Sequence, residues 1–201
     1  MEQLSRRERK KLETRQRLME TALRLFSERG YEATTVKDIA TAADVAKGTF
    51  FNYFETKEAV LPAIAARRVE QLEEALEPDL GAPDSPVDRI KLALRLVAES
   101  RLCQKQLAER LFAAMMRRRE IDVRHALSDL LARQVRQAQA AGEIRSDLEA
   151  TYLAGLIHAL FFHRLVMWHR GEGPVPFRES LENSVDLLME GAAGPNWPRA
   201  S

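Results

Sequence analysis

Apolar positions recur at helical spacing along most of this chain. In the first segment Leu18, Ala22, Leu25 and Phe26 fall on one stripe, which stops at Gly30, a residue suited to closing a helix. Thr35 and Asp38 then form a capping-box pair: the threonine side chain accepts the Asp38 N–H while Asp38 reaches back. This opens a short helix whose Val36, Ile39 and Ala40 share a face. A new apolar phase begins with Val45, Phe50 and Phe54. So sharp a change of phase predicts a left-handed backbone at Asp44, a conformation that Asp tolerates better than most non-glycine residues. Thr56, with Lys57 and Glu58 behind it, starts another helix. The segment from Ala46 to Phe54 is therefore enclosed between turns, and it reads as a helix of about two or three turns.

Further along, the pattern predicts helices near 57–77, 87–102, 104–118, 121–141, 147–169 and 177–190. No proline occurs from Val87 to Gly173, β-branched clusters are sparse, and Leu, Ala, Arg, Glu and Gln dominate, as in packed helices rather than strands. Pro78, Gly81, Pro83 and Pro86 mark the clearest loop. Pro62 falls inside the helix begun at Thr56 and must bend or divide it. The predicted fold class is all-α. Residues 1–57 form a three-helix domain with a helix-turn-helix at about 35–54, and 58–201 form a helical regulatory and dimerisation body. At 201 residues and 45% apolar content, the chain is long enough for both.

One predicted helix differs from the rest. From Tyr152 to Trp168 it is apolar on nearly every face, interrupted by His158, His163 and Arg164. These 17 residues, one an arginine, fall short of the roughly 20 apolar residues a bilayer requires, so no membrane partner is expected. A helix apolar all round must be buried on all sides, which a small body rarely achieves alone. Leu181, Val185 and Leu188 add a second stripe, and the two helices together predict a homodimer built as a symmetric four-helix bundle.

Charge changes this picture little. Residues 1–17 carry seven cationic and three acidic side chains, a basic arm, but the whole chain is only +1. The chemistry lies in the turn-enclosed helix, because the second helix of a helix-turn-helix places its first residues against base edges in the major groove. Lys47 can donate to guanine O6 and N7, Thr49 can offer a hydroxyl or a methyl, and Gly48 lets the backbone approach closely. Tyr53 and Lys57 are placed to hold phosphates. Other chemistries are poorly represented. The single Cys103 excludes an internal disulfide, and His125, His158, His163 and His169 lack the i, i+4 spacing of helical zinc ligands. With no Gly-rich phosphate loop and no nucleophile elbow, neither an enzyme, a metal nor a cofactor is expected. No apolar run follows the N-terminal charges, so the chain is expected in the cytoplasm.

The pattern Thr35-x-x-x-Ile39-Ala40, then Val45-x-Lys47-Gly48-Thr49-x-x-x-Tyr53-Phe54-x-x-Lys57-Glu58, resembles the TetR family of transcriptional regulators. The resemblance is densest over residues 34–58. It implies that Lys47, Gly48, Thr49, Phe51 and Asn52 face bases, that Lys37 reaches one from the preceding helix, and that Thr35, Tyr53 and Lys57 hold phosphates. Asp44, Ala46 and Phe51 depart from the usual Gly, Ser and Tyr; the last two remove hydroxyls. The resemblance also implies a dimer through the last two helices, a palindromic double-stranded operator, and a pocket whose small-molecule ligand releases DNA. Candidate lining residues are Cys103, Phe112, Met115, Met116, His158, Phe161, Phe162 and Trp168. The reading is a ligand-responsive repressor. The alternatives are an architectural protein or activator without an inducer, and a helical small-molecule carrier.

Overall fold

The computed structural model describes the backbone of residues 5–117, 121–172 and 177–190. Among these residues there are α-helices, short 3₁₀ turns and no strand, as the periodicity predicts. The α-helices are α1 (Arg6–Arg29), α2 (Val36–Ala42), α3 (Lys47–Phe51), α4 (Val60–Ala75), α5 (Pro86–Ala98), α6 (Lys105–Arg117), α7 (Ile121–Ala140), α8 (Ala150–Arg170) and α9 (Phe177–Glu190). Compactness divides the chain into residues 1–71 with 100–124, and residues 72–99 with 125–201. The first unit therefore extends past residue 57. Val60, Leu61 and Ile64 of α4 and Leu102 and Leu107 around α6 are buried in one core with α1, α2 and α3.

In that first unit, α1 is capped by Ser5, which accepts the Glu8 N–H while Glu8 accepts the Ser5 N–H at 2.9 Å. Residues 6–17 are accordingly helical, with burial starting only at Leu18, so the basic segment is the solvated half of α1 rather than a loose arm. Gly30 closes α1 at φ 87 and ψ 153, a region open almost only to glycine. Thr34, 1% exposed, donates its hydroxyl hydrogen toward the Gly30 and Leu25 carbonyls, which holds the link into α2. Pro62 is accommodated by division: Lys57–Ala59 form a 3₁₀ turn and α4 begins at Val60. The proline thus lies in the first turn of α4, where its missing N–H has no helical partner to lose.

In the second unit α9 packs against α8 and α5. Arg89, 6% exposed, ties α5 to α7 by donating to Gln134 (2.9 Å) and Gln137 (2.7 Å), and its remaining nitrogen donates to the Pro83 and Asp84 carbonyls at 3.0 Å. A buried guanidinium is tolerable only when its donors are matched in this way. The helix predicted over 87–102 ends early, at Ala98, because Ser100 turns inward to accept the Leu102 N–H and starts a 3₁₀ turn. α8 starts later than predicted, at Ala150, with Glu149 extended at its N-cap and Arg145 and Asp147 paired in the preceding loop. Ala154, Ile157, Phe161 and Leu165 bury one stripe of α8, and Leu181 and Val185 bury the facing stripe of α9. By length and composition α8 could cross a membrane, at 21 residues and mean hydropathy 1.3. Only 22% of that apolar window is buried within the chain, so α8 buries one stripe and is not covered on all sides as its composition predicts.

Candidate nucleic-acid interface

The turn between α2 and α3 has the predicted geometry. Thr35 and Asp38 form the capping box: the Thr35 N–H and hydroxyl both donate to the Asp38 carboxylate at 2.9 and 2.6 Å, and the hydroxyl oxygen accepts the Asp38 N–H. These bonds hold the Asp38 carboxyl below its ordinary range. Asp44 has φ 52, the only positive φ at a non-glycine position among the described residues. Its N–H donates to Thr41 O and that of Val45 to Ala40 O, so the corner is pinned to the end of α2.

α3 is shorter than predicted, spanning five residues. After Phe51 the chain tightens, with the Asn52 N–H donating to Thr49 O and both the Tyr53 and Phe54 N–H groups to Phe50 O. Ala46 at its N-cap provides no side-chain bond, as the missing hydroxyl implies. The helix is held from below instead. Phe50 is fully buried and meets Phe54 with ring centroids 5.6 Å apart, and Arg15 of α1 stacks over the Phe54 ring at 5.4 Å.

This anchoring leaves the opposite face outward. Lys37, Lys47, Gly48, Phe51 and Asn52 are exposed, and Thr49 and Tyr53 are half-buried. A Cβ at Gly48 would meet no atom within 4 Å, so nothing inside the fold requires glycine there. Phe51 is 47% exposed, an apolar ring turned to solvent, and the Lys47 ammonium lies 6.0 Å from its centroid.

Two of the nine predicted DNA contacts sit differently. The single hydroxyl hydrogen of Thr35 is already donated to Asp38, so a phosphate contact would require the cap to open. The Lys57 ammonium points inward, donating to Tyr31 O at 2.9 Å and Thr34 O at 3.0 Å and lying 4.2 Å from the Tyr31 ring centroid. It clasps the α1–α2 link to the start of the next helix. Tyr31 is 5% exposed, and burial, reinforced by the negative charge of Glu58, pushes its hydroxyl up to about 12. Arg110 of α6 pairs with Glu32 at 2.6 Å beside the same ring. Of this clasp the sequence pattern predicts only the cap at Gly30; the one further signal is an aromatic directly after the helix-closing glycine.

The pocket candidates are divided between the units. Cys103 is buried in the first, and burial pushes its thiol up to about 12, consistent with inert packing. The side chains of Phe112, Met115 and Met116 lie outside the described residues. In the second unit Phe161 is buried, His158 and Phe162 are half-buried, and Trp168 is 49% exposed. Phe177 joins Phe161 and Trp168, with centroids 6.2 and 5.2 Å away. A cleft of about 340 Å³ opens elsewhere in this unit, against Val135, Ile144, Leu153, Ile157, Leu188 and Met189. No predicted pocket residue lines it.

Residues 18–64 match the sequence profile described as "Bacterial regulatory proteins, tetR family". The chain is 28% identical over 183 residues to the HTH-type transcriptional repressor KstR of Rhodococcus jostii (strain RHA1), covering 88% of this chain and 83% of that protein. A 45-residue stretch is 53% identical to the repressor DhaR of Mycobacterium sp. (strain GP1), covering 22% and 23% of the two chains. Among solved structures, Thermus thermophilus FadR, a TetR family transcriptional repressor in complex with lauroyl-CoA, superposes with a TM-score of 0.71 at 29% identity, over 93% of this chain and 99% of that one. With the pinned corner at Asp44 and the outward face of α3, these likenesses support a TetR family transcriptional regulator, and regulators of that family are DNA-binding proteins and not enzymes.

Proposed function

We propose that the protein is a homodimeric repressor that binds a palindromic operator through α3 and leaves it when a small molecule occupies the helical body. The observation that carries this reading is the split of α3: Phe50 is fully buried while Lys47, Gly48, Phe51 and Asn52 stand exposed on one short, rigid element. Lys47, Gly48, Thr49, Phe51 and Asn52 face bases, Lys37 reaches in from α2, and Tyr53 donates to a phosphate. Thr35 and Lys57 hold the motif in shape. Residues 1–57 are the DNA-reading part and 58–201 the regulatory part. Such a regulator works where the chromosome lies, in the cytoplasm.

Dimerisation through α8 and α9 is supported by three large apolar side chains left outward on those helices: Tyr152 (58% exposed), Trp168 (49%) and Leu187 (58%). The repressor role and the ligand class rest on relatives: KstR is named a repressor, and the FadR structure contains lauroyl-CoA. Long-chain acyl-CoA is therefore the first ligand class to test. A ligand acts by binding one spacing of the two heads better than the other, and a coupling of about 1–3 kcal/mol gives a 5–150-fold change in affinity.

Selection of bound duplexes from a random pool, followed by titration at several salt concentrations, tests the core of this proposal. Recovered sequences should share an inverted repeat, and Lys47→Ala should cost about 1–3 kcal/mol on that repeat and little on random DNA. Recovery of no common sequence would overturn the reading. Addition of acyl-CoAs of increasing chain length should then release the duplex; failure of every length would move the protein to the class without an acyl-CoA inducer.

A further inference from the structure

Resting on that reading, we infer that Phe51 recognises the 5-methyl group of a thymine, one or two base pairs from the base that Lys47 contacts. The opposite placement of two adjacent phenylalanines is the starting point. Phe50 carries the packing of α3 and is fully buried, whereas Phe51, in edge-to-face contact with it at 5.6 Å, is 47% exposed. That edge contact fixes the ring of Phe51 without covering it.

A benzyl side chain has no hydrogen-bond donor or acceptor, so it cannot read the polar edge of any base pair. The thymine methyl is the one apolar group on the major-groove edges of the four pairs. Its neighbour fixes the register: Lys47 is one helical turn before Phe51, and its ammonium is 6.0 Å from the ring centroid. Base pairs stack about 3.4 Å apart along the duplex, so groups at this separation meet bases one or two steps apart. Lys47 supplies the charge-assisted donor for guanine O6 and N7, and Phe51 covers a methyl beside it. Gly48 carries no side chain and has open space where a Cβ would point, so the helix surface beside them stays low enough for both to reach the groove floor.

Replacing thymine by deoxyuridine removes only that methyl. The test uses the full-length protein and the inverted repeat selected from the random pool, with each thymine changed to deoxyuridine in turn at both symmetric positions. Burial of one methyl corresponds to about a fourfold change per half-site, or roughly fifteenfold over both. We expect one thymine position to show that loss. Phe51→Ala should bind thymine and deoxyuridine duplexes equally at that position, and Phe51→Tyr, which keeps the ring, should retain most of the discrimination. Unchanged thermal unfolding of both variants will separate recognition from folding. The inference is overturned if no position is sensitive, or if Phe51→Ala keeps the deoxyuridine penalty, which would assign the methyl to Thr49. A chain that selects no duplex at all overturns the proposed function as well.

Discussion

Replacing Lys57 by methionine separates two roles for one side chain. Methionine keeps an apolar stem of similar length and removes the ammonium, and with it the bonds to Tyr31 O (2.9 Å) and Thr34 O (3.0 Å) and the charge 4.2 Å from the Tyr31 ring. Tyr31 O still accepts the Thr34 N–H at 3.3 Å, so the carbonyl that loses its donor is that of Thr34. That loss costs about 1 kcal/mol, the low end of the range because water can still reach this side chain's surroundings. Loss of the cation over the ring adds about 0.5–1 kcal/mol. The expected destabilisation is therefore about 1.5–2 kcal/mol, which for a chain of this size lowers the Tm by roughly 3–8 °C at fixed protein concentration.

The binding assay carries the sharper contrast. If Lys57 acts as a clasp, Lys57→Met weakens operator and random DNA together, because the link that positions α2 loosens, while the dependence of log K on log salt is unchanged. A phosphate contact would instead lower that slope by about one per subunit and leave the Tm nearly intact. The second outcome would refute the clasp.

Three further outcomes follow from the same structure. Asp44→Gly should raise stability by about 0.5–1 kcal/mol and Asp44→Ala lower it by about 1 kcal/mol, because the backbone at φ 52 suits glycine and strains alanine; chemical denaturation measures both. Burial holds the His158 imidazole below its ordinary value of 6.5, so the unfolded chain takes up a proton more readily than the folded one. Its contribution is complete above that value and is lost as the pH falls below it, so thermal unfolding should show a decline towards pH 5 that flattens in His158→Gln. Leu187→Glu places a charge on an exposed apolar position of α9 and should yield a folded single-chain particle by light scattering. An unchanged dimer would locate the interface elsewhere.

Much of the DNA-reading part is legible in the sequence because its signals are local. The Thr35–Asp38 cap, the left-handed corner at Asp44 and the closing glycine at Gly30 each depend on a few consecutive residues, and each is present. What escapes is the use of side chains over longer separations. In the sequence Lys57 has the pattern of a free cation at a helix start, yet it reaches back 26 residues to Tyr31 O. Thr35 fits both a cap and a phosphate contact, which its single hydroxyl hydrogen cannot serve together. The pattern overestimates the length of α3 because Phe54 continues the apolar phase of Phe50, although the chain between them has already left the α-helix.

The helical body is less legible for a different reason. A buried methionine or aromatic at helical spacing produces the same sequence pattern whether it fills a core or lines a cavity. Phe161 and Trp168 illustrate this: they recur at helical spacing on α8 and both pack on Phe177, yet one is buried and the other half exposed. The cleft beside Leu153 and Ile157 is lined by aliphatic residues that carry no distinctive signal, together with a loop, Gly142 to Arg145, whose position depends on how α7 ends. Exposure is therefore the discriminating quantity in the body, and it resides in the packed chain and not in the spacing. Tyr152, Trp168 and Leu187 stay about half exposed on helices that otherwise bury their apolar stripes, so their individual exposure, more than the periodicity that generates it, is what a second copy would have to cover.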